Sequence, residues 1–367
     1  MTAPAESTTS IRPETSLVEM LLPASSGPFP TMRYMGSKAR LLPWIEDVLS
    51  GLSFESVLDA FSGSGAVGYL FKSMGKAVAA TDFLKFPYTI ATATIENNRS
   101  TLTPGDISDL LAFNRQRKRF IERTFSGIFF TPADLRFLDN VWANLDGVED
   151  PYKRALAVSA LVRSCVKRQP RGVFTVAGDP ERYKDGRRDL RLSIREHFLE
   201  NVEAYNAAVF DNGRNNKALR ADVFTAPTDA DLVYMDPPYV PRSDDNCYVK
   251  RYHFLEGLTS YWQDSDAVIQ TDTKVRKIAK RYTPFSYRRT ALDAFDRMFK
   301  RFHASTLVLS YSSNGYPDLD TLVDLIGRYK LEVTVHEKAH RYHFGTHASV
   351  TSERTAVREY LIVGTGA

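Results

Sequence analysis

The chain has few cysteines, no long apolar run and little net charge, and each shortage limits what it can be. Its only cysteines among 367 residues, Cys165 and Cys247, do not form a CxxC pair. This pattern argues against a disulfide scaffold and a cysteine-based zinc site, and it favours a reducing compartment. No apolar run approaches the roughly 18 residues that cross a bilayer, and residues 17–22 lack a basic leader. We therefore expect a cytoplasmic protein with no membrane partner.

The net charge by itself does not identify a partner. The 48 Lys and Arg outnumber the 44 Asp and Glu by only four, which neither demands nor excludes a polyanion. The cations are unevenly distributed, however, because residues 115–123, 163–191 and 274–301 hold 24 Lys and Arg but only seven acids. This distribution predicts a polarised molecule that could grip a polyanion from one side.

Alternating strand and helix patterns predict an α/β fold. Residues 1–31 are rich in Ser, Thr, Pro and Ala and are expected to form a flexible leader without an assigned function. A βαβ unit follows in residues 32–87, and strand patterns resume in residues 219–367, where the last two strands suggest an antiparallel edge. The predicted strands are 57–61, 76–83, 231–239, 303–313, 330–338 and 358–364, with helices at 66–75 and 318–329.

The middle segment, residues 88–218, has a different character. Helical periodicity around 107–124, 132–145 and 152–166 is followed by a basic, loop-rich stretch. A chain of this length suits about two domains, or one large α/β domain with an insertion. We interpret residues 88–218 as an inserted, mainly helical module.

A glycine-rich turn follows the first predicted strand. Gly63, Gly65 and Gly68 spell GxGxxG at the start of a helix, and Asp82 closes the next strand. Glycines allow close approach of the backbone to a ligand, and a carboxylate at that strand end can accept hydrogen bonds from two ribose hydroxyls. The pattern predicts an adenosine site. It leaves the cofactor open, because dinucleotides and S-adenosylmethionine can both use such a turn.

The second motif is Asp236-Pro237-Pro238-Tyr239, which follows the apolar strand pattern LVYM. Two prolines stiffen the loop and lack N–H groups, so the loop presents acceptors. The Asp236 carboxylate and the Pro237 carbonyl can bind the two hydrogens of a nucleobase amino group, and Tyr239 can stack on the base. A Pro-Pro turn after an edge strand would be unremarkable, but this tetrapeptide after a buried strand is much rarer. A base in a duplex must be flipped out to reach such a loop.

With both motifs in view, the chain resembles the adenine-specific DNA methyltransferases of the Dam-like, DPPY-containing type found in restriction-modification systems. The likeness extends from Arg33 to Val363, with RYMGSKARLL, DAFSGSG and DPPY in the family's order. One departure is Ala60, where the family usually has Pro. The resemblance implies a Rossmann-like fold, S-adenosylmethionine as cofactor and the catalytic set Asp236, Pro237, Pro238 and Tyr239. It further implies these cofactor-binding residues: Tyr34, Lys38, Asp59, Phe61, Ser62, Gly63, Gly65, Asp82 and Asp222.

The resemblance also assigns a role to the middle segment. It implies that residues 88–218 hold the target-recognition domain and that residues 164–178 resemble a DNA-contacting hairpin. Pro170 and Gly172 suggest a loop, so we expect Lys167, Arg168 and Arg171 to protrude and contact phosphates. The implied partners are double-stranded DNA and a cognate restriction endonuclease.

Histidines raise the question of a metal. His253 and the group His336, His340, His343 and His347 have no carboxylate or cysteine at ligand spacing, which favours polar surface or DNA-facing positions. We therefore predict no metal, because a methyl group on a sulfonium is already activated. Two other functions stay open: an RNA base methyltransferase, and a DNA-binding regulator that keeps an inactive methyltransferase fold.

Overall fold

A mainly parallel, seven-stranded sheet forms the centre of the described structure. The computed structural model describes residues 27–178, 186–240, 247–341 and 356–366. Its strands are β1 (Ser56–Asp59), β2 (Ala77–Asp82), β3 (Lys217–Arg220), β4 (Leu232–Met235), β5 (Thr306–Ser312), β6 (Glu332–Arg341) and β7 (Ala356–Thr365). They lie in the order β3-β2-β1-β4-β5-β7-β6. The α/β class is confirmed.

The pairing directions explain the strand patterns. β1 to β5 pair in parallel, and β4 is buried along its whole length, as its uninterrupted apolar sequence requires. β7 pairs antiparallel with both β5 and β6, which confirms the predicted antiparallel edge. Strand β3 was missed because only Ala218 is buried among its four residues, so no alternation marks it.

The order of the strands indicates where a ligand-binding site lies. It reverses between β1 and β4, whose carboxyl ends carry Asp59 and, one residue beyond β4, Asp236. In open α/β sheets, ligands bind at such a reversal, outside the carboxyl ends of the strands. The two motifs that the sequence separates by more than 170 positions therefore lie side by side.

Helices cover both faces of the sheet. The α-helices are α1 (Leu42–Ser50), α2 (Ala66–Ser73), α3 (Lys85–Ala91), α4 (Pro104–Leu111), α5 (Phe120–Thr124), α6 (Pro132–Leu145), α7 (Pro151–Arg168), α8 (Arg188–Arg191), α9 (Ile194–Ala207), α10 (Tyr248–Leu258), α11 (Arg288–Arg301) and α12 (Leu319–Gly327). A π-helix, Thr92–Glu96, continues α3, and a short 3-10 helix spans Pro284–Ser286. Helices α4 to α9 lie between β2 and β3 in the chain. No helix in the described ranges is long and apolar enough to cross a membrane.

The helix predicted over 107–124 is wrong as one element, because α4 ends at Leu111 and α5 begins at Phe120. Side chains of α6 end α4: Asn140 and Asn144 donate hydrogen bonds to the carbonyl of Ala112, at 2.8 and 2.7 Å. A helix terminus whose carbonyls are bound by side chains has no need of a further turn. The other two helices predicted in the middle segment, α6 and α7, are present.

The expectation that the three basic stretches share one side of the molecule is also wrong. Neighbouring strand residues point to opposite faces of a sheet, and two separate cores lie on the two faces of this one. Helices α5 and α7, with cations of the first two basic stretches, pack in the core that contains Val57 and Tyr234. Helix α11, from the third stretch, packs in the core that contains Leu58 and Met235. The basic stretches are thus divided between the faces.

The predicted leader is too long at its inner end. Phe29 is buried, and its ring lies 4.9 Å from that of Tyr69, whose hydroxyl donates to the carbonyl of Gly27 at 2.9 Å. The guanidinium of Arg163 binds the carbonyl of Thr31 at 2.8 Å. Residues 27–31 are therefore packed, while residues 1–26 lie outside the described residues.

Candidate active site

A pocket of about 1060 Å³, its open mouth included, lies at the strand reversal between β1 and β4. Its walls come from seven parts of the chain: the segment before α1, the turn after β1, the end of β2, the residues after β3, the residues after β4, the start of α10 and the segment before α11. Of the predicted cofactor and catalytic residues, the pocket is lined by Tyr34, Lys38, Asp59, Phe61, Ser62, Gly63, Asp82, Asp222, Asp236 and Pro238. Gly65, Pro237 and Tyr239 do not line it.

The turn after β1 requires glycine at two positions. Gly63 and Gly65 have φ angles of 51° and 81°, and Gly65 is the N-cap residue that immediately precedes α2. A Cβ on Gly63 would lie 3.0 Å from the Tyr34 ring, so the left-handed backbone and the close contact both exclude side chains. The turn thereby brings backbone to the pocket wall. Ser62 Oγ, also at this wall, is buried and has no hydrogen-bond partner among the described residues.

Asp82 holds the turn and faces the pocket. Its carboxylate accepts hydrogen bonds from the N–H groups of Gly63, at 3.0 Å, and Leu84, at 2.9 Å. Burial raises the pKa of Asp82 to about 7, although these two N–H groups lower it. Each oxygen accepts one bond from the chain, so each retains a lone pair for a ligand.

Asp59 is a second buried carboxylate in the pocket. Burial, followed by repulsion from Asp236 and Asp82, raises its pKa to about 7. Four acidic side chains, those of Asp59, Asp82, Asp222 and Asp236, line the pocket. They favour a ligand that brings positive charge or several hydrogen-bond donors.

The segment before α1 carries Lys38 to the end of β4. Tyr34 stacks on Tyr252 of α10, with ring centroids 5.0 Å apart, and the Tyr252 hydroxyl accepts a hydrogen bond from Met35 N at 2.7 Å. Lys38 Nζ then donates to both Asp236 oxygens, at 2.9 and 2.7 Å, and to the carbonyl of Gly36 at 3.0 Å. The lysine predicted to bind cofactor thus directly contacts the predicted catalytic carboxylate.

The ion pair sets the charge of the motif. Burial raises the pKa of Asp236, and Lys38 opposes that rise. For Lys38, burial lowers the pKa, but Asp236 and then Glu359 raise it enough to dominate. We therefore take the pair as charged, with an ionised carboxylate at the pocket.

The rest of the tetrapeptide is held by packing. The Tyr239 ring lies 5.5 Å from that of Tyr311 in an edge contact, and the N–H of Tyr316 donates to the carbonyl of Val240 at 3.2 Å. Pro237 is buried, whereas Pro238 lies at the pocket. The loop is therefore anchored on its β5 side and open on its pocket side.

An aromatic wall closes the side of the pocket near Asp222. Phe61 meets Phe285 edge-on at 5.6 Å, and Phe285 stacks on Phe224 with centroids 5.8 Å apart. Asp222 accepts a hydrogen bond from Phe224 N at 2.9 Å, which orients its carboxylate at the edge of this wall. A flat apolar wall beside a hydrogen-bond acceptor suits a nucleobase. Sequence reasoning missed Phe285, although the run Tyr282 to Tyr287 was a visible signal.

Glu256 of α10 was another missed residue. It is 2% exposed and accepts hydrogen bonds from the N–H groups of Lys85 and Phe86, at the start of α3. It also pairs with Arg220, at 3.7 Å, and with Arg281, whose guanidinium lies 2.9 Å away and also donates to the carbonyl of Phe83. Glu256 thus joins the backbone behind Asp82 to the segment before α11, two walls of the pocket.

A third missed residue is Glu359 of β7, which is 1% exposed. The strand register sets it opposite Ser312, near the carboxyl end of β5. Its charge raises the pKa values of both Lys38 and Asp236, after the larger effects of burial and of the ion pair itself. No local pattern identifies Glu359, because the strand pairing alone brings it to the site.

Two of the predicted DNA-contacting residues are not on a loop. Helix α7 continues to Arg168, so the prediction that Lys167 and Arg168 protrude from a loop is wrong. Arg168 is buried, pairs with Asp134 at 3.2 Å and also donates to the carbonyl of Leu190. Lys167 lies 3.7 Å from Glu200. Arg171, beyond the helix end, is exposed.

The histidine expectation fails at one position. His253 is fully buried, and its Nε2 lies 2.8 Å from the carbonyl of Phe174, so it is neither surface nor DNA-facing. His343 and His347 lie outside the described residues. Within the described ranges, no group of three or more His, Cys, Asp or Glu side chains could hold a metal ion.

The chain resembles proteins of known activity over most of its length. It is 30% identical over 336 residues to the type II methyltransferase M2.HphI of Haemophilus parahaemolyticus, covering 86% of this chain and 92% of the relative. It is 24% identical to the type II methyltransferase M.NlaIII of Neisseria lactamica, over 81% and 88% of the two chains. A match to the modification methylase StsI of Streptococcus sanguinis, at 25% identity, covers 82% of this chain but 47% of that protein.

The family comparison agrees with the geometry of the pocket. The model of the D12 class N6 adenine-specific DNA methyltransferases matches residues 34–308, a range that runs from Tyr34 through the glycine turn and Asp236 to β5. That range includes every predicted cofactor and catalytic residue. The chain therefore belongs to the D12 class of N6 adenine-specific DNA methyltransferases.

Proposed function

We propose that the pocket binds S-adenosylmethionine and that Asp236 holds the N6 amino group of an adenine flipped out of double-stranded DNA. The observation that carries the proposal is that two motifs line one pocket: the glycine turn with Asp82, and Asp236 with Lys38. S-adenosylmethionine supplies a methyl group on a positively charged sulfur. The residues that line the pocket would bind and orient the cofactor and the base, and they would exclude water.

The cofactor fits the residues present. Asp82 retains acceptor capacity for the ribose hydroxyls, and the wall formed by Phe61 and Phe285 suits the adenine ring, with Asp222 at its edge. Asp59 and the unpartnered Ser62 hydroxyl offer hydrogen-bonding groups for the amino-acid end. The acidic lining also suits the positive sulfur. Tyr34 fills the remaining wall beside Gly63.

The substrate amine would meet two acceptors. An adenine amino group is a weak nucleophile because its lone pair is delocalised into the ring. The Asp236 carboxylate and the Pro237 carbonyl can accept its two hydrogens and direct the lone pair into the pocket. Lys38 already donates to both Asp236 oxygens, but each carboxylate oxygen can accept a second bond. Tyr239 offers an aromatic face to the flipped base.

Proximity and charge then provide catalysis. Holding amine and methyl group in line can supply several kcal/mol, on the order of 7–11 in favourable systems. The amine becomes positive as it is methylated, and the ionised Asp236 stabilises that charge and can take the proton that the amine loses. Lys38 keeps the carboxylate ionised before the reaction.

The DNA partner assigns roles to other parts of the chain. We propose that residues 88–218 contain the target-recognition part, and that the exposed Arg171 contacts a phosphate. The buried Arg168 is withdrawn from that role, since its partners are Asp134 and Leu190. One relative is named a type II methyltransferase and another a modification methylase, which suggests a cognate restriction endonuclease as a functional partner of this chain.

The test combines activity with cofactor binding. Wild-type protein is incubated with labelled S-adenosylmethionine and unmethylated DNA, and modified adenines are mapped by sequencing, which also identifies the recognition site. We expect Asp236→Ala to abolish transfer while binding of S-adenosylhomocysteine persists within a few-fold. Exposed Asp320→Ala on α12 is the matched control. Full activity of Asp236→Ala, or transfer to a base other than adenine, would contradict the proposal.

A further inference from the structure

The cations of one segment have no role in the chemistry proposed above. Residues 273–292 contain seven Lys and Arg and no Asp or Glu. Their middle part, residues 281–285, forms one wall of the pocket, and α11 begins at Arg288. The segment therefore carries a high density of positive charge past the mouth of the site, where Arg281 is paired with Glu256 and Asp266.

An aromatic ring stands open at this mouth. Tyr282 is 61% exposed, although it lines the pocket, and it stacks on Tyr287 with centroids 5.5 Å apart and planes 13° apart. The stack fixes the plane of the Tyr282 ring while much of its surface stays in water. A ring held in this way offers a platform for a second flat group.

The cations continue this surface toward the tetrapeptide. The Arg288 guanidinium lies over the Tyr316 ring at 4.6 Å, and the N–H of Tyr316 binds the carbonyl of Val240, the residue after Tyr239. Arg288 and Arg289 are exposed. Both lie in the first turn of α11, where the helix dipole disfavours cations and where no acid is present. Helix stability therefore does not explain them.

We infer that Tyr282, Arg288 and Arg289 form the surface that holds the DNA strand from which the adenine is flipped. Tyr282 stacks on an unpaired base next to the target, and the two arginines contact the flanking phosphates. Exposed aromatic rings interleaved with cations are the usual means of binding unpaired bases and backbone. The inference rests on the proposed function, because it assumes that the pocket receives a base from a duplex.

The experiment uses the full chain and a duplex containing its mapped site, with 2-aminopurine at the target adenine. We expect Tyr282→Ala to weaken DNA binding by about tenfold and to reduce the fluorescence rise that reports base flipping. Tyr282→Phe should retain both. Arg288→Ala combined with Arg289→Ala should lower the slope of log affinity against log salt by about two. Affinity for S-adenosylhomocysteine, measured by calorimetry, should stay within twofold for the Arg288, Arg289 double variant, whose residues do not line the pocket. In Tyr282→Ala it should change less than the affinity for DNA does.

Two control variants change residues just before β6, at the end of the sheet opposite the carboxyl ends of the parallel strands, where the pocket lies. Leu331→Ala removes an apolar side chain that is 85% exposed, and Arg328→Ala removes an exposed cation near it. Both should bind DNA like wild type. Loss of cofactor affinity in Tyr282→Ala with unchanged DNA affinity would overturn the inference and make Tyr282 a cover for the cofactor. Unchanged DNA binding in all variants would overturn it as well. Failure of wild type to methylate adenine would instead contradict the proposed function.

Discussion

Lys38 and Asp236, which are 198 positions apart in the chain, form a largely buried ion pair in which one ammonium contacts both carboxylate oxygens, at 2.7 and 2.9 Å. Lys38 is 5% exposed, so water screens the pair little. The pair joins the segment before α1 to the end of β4. Its integrity therefore affects both the charge of the candidate catalytic group and the fold around it.

Lys38→Met should impair both the ionisation of Asp236 and the stability of the fold around it. Removing one partner of a buried ion pair leaves the other charge uncompensated, which costs about 3–5 kcal/mol. Because Lys38 holds down the pKa of Asp236, its loss should move the acid limb of the pH profile of kcat/KM to higher pH. Urea unfolding and the pH profile measure the two effects. Lys300→Met, at an exposed position on α11, is the control. An unchanged acid limb would show that Lys38 does not maintain the ionised state of Asp236.

Cofactor binding should depend on pH through Asp82. The pKa of about 7 is raised from an ordinary value of 3.8, so the carboxylate gains its charge only as the pH rises toward neutrality. An ionised carboxylate accepts hydrogen bonds from hydroxyls better than a carboxylic acid does. We expect affinity for S-adenosylhomocysteine to strengthen from pH 6 to pH 8. Asp82→Asn should bind more weakly and lose most of this dependence, and a wild-type affinity that is flat over this range would contradict the assignment.

The same shift predicts how the stability of the cofactor-free protein varies with pH. Between about 4 and 7 the folded state binds more protons at Asp59 and Asp82 than the unfolded state does. The contribution of these two groups to the free energy of unfolding must therefore fall as the pH rises through that range. To isolate the contribution of these two groups, the free energy of unfolding is measured for wild type and for the Asp59→Asn, Asp82→Asn double variant. The difference between the two proteins is then compared at pH 5 and pH 7.5. A difference that does not change with pH would contradict the raised pKa values.

Glu359→Gln tests how the charge of a second acid affects the ion pair of Lys38 and Asp236. The negative charge of Glu359 raises the pKa of Asp236, so the amide should move the acid limb of kcat/KM to lower pH. This direction is opposite to that expected for Lys38→Met. Glu337→Gln, at an exposed position of β6, should leave the profile unchanged. Loss of activity without a shift of the acid limb would indicate that Glu359 acts only through packing.

Arg168 and Arg171 should behave differently although they are three residues apart. Arg168→Ala leaves the buried Asp134 without its cation and should lower stability by about 3–5 kcal/mol. Arg171→Ala should leave the urea midpoint unchanged and reduce the salt slope of DNA binding by about one. A stability loss at Arg171 with no change in DNA binding would remove it from the DNA surface.

The glycine turn and the tetrapeptide could be predicted because their chemistry is local. Positive φ angles at Gly63 and Gly65 and the stiffness of Pro237-Pro238 follow from the residues themselves. The order of strands and helices was also readable, since buried parallel strands are continuous apolar runs. The edge strand β3 and the break between α4 and α5 were not, because partners elsewhere in the chain decide them.

Charges were the least predictable feature. Arg168 has the same local context as a phosphate-binding arginine, but α7 continues through it and Asp134 of α6 pairs with it. The cations of α11 resembled those of the other basic stretches in sequence, yet α11 packs on the opposite face of the sheet. A charge acquires its role from its neighbours in space, and periodicity along the chain does not report them.

The amino-acid sequence by itself determined the family, the nucleotide-binding turn and the loop that presents Asp236, because these depend on backbone conformations that a few adjacent residues impose. Only the tertiary structure decided that Lys38 pairs with Asp236, that Glu359 lies behind them and that Arg168 is buried. Those relationships arise from strand register and helix packing, which bring together residues that are 34 to 198 positions apart in the chain or lie on different strands. Burial then strengthens the interaction of each charge with its neighbours, and so the fold sets the electrostatics of the site.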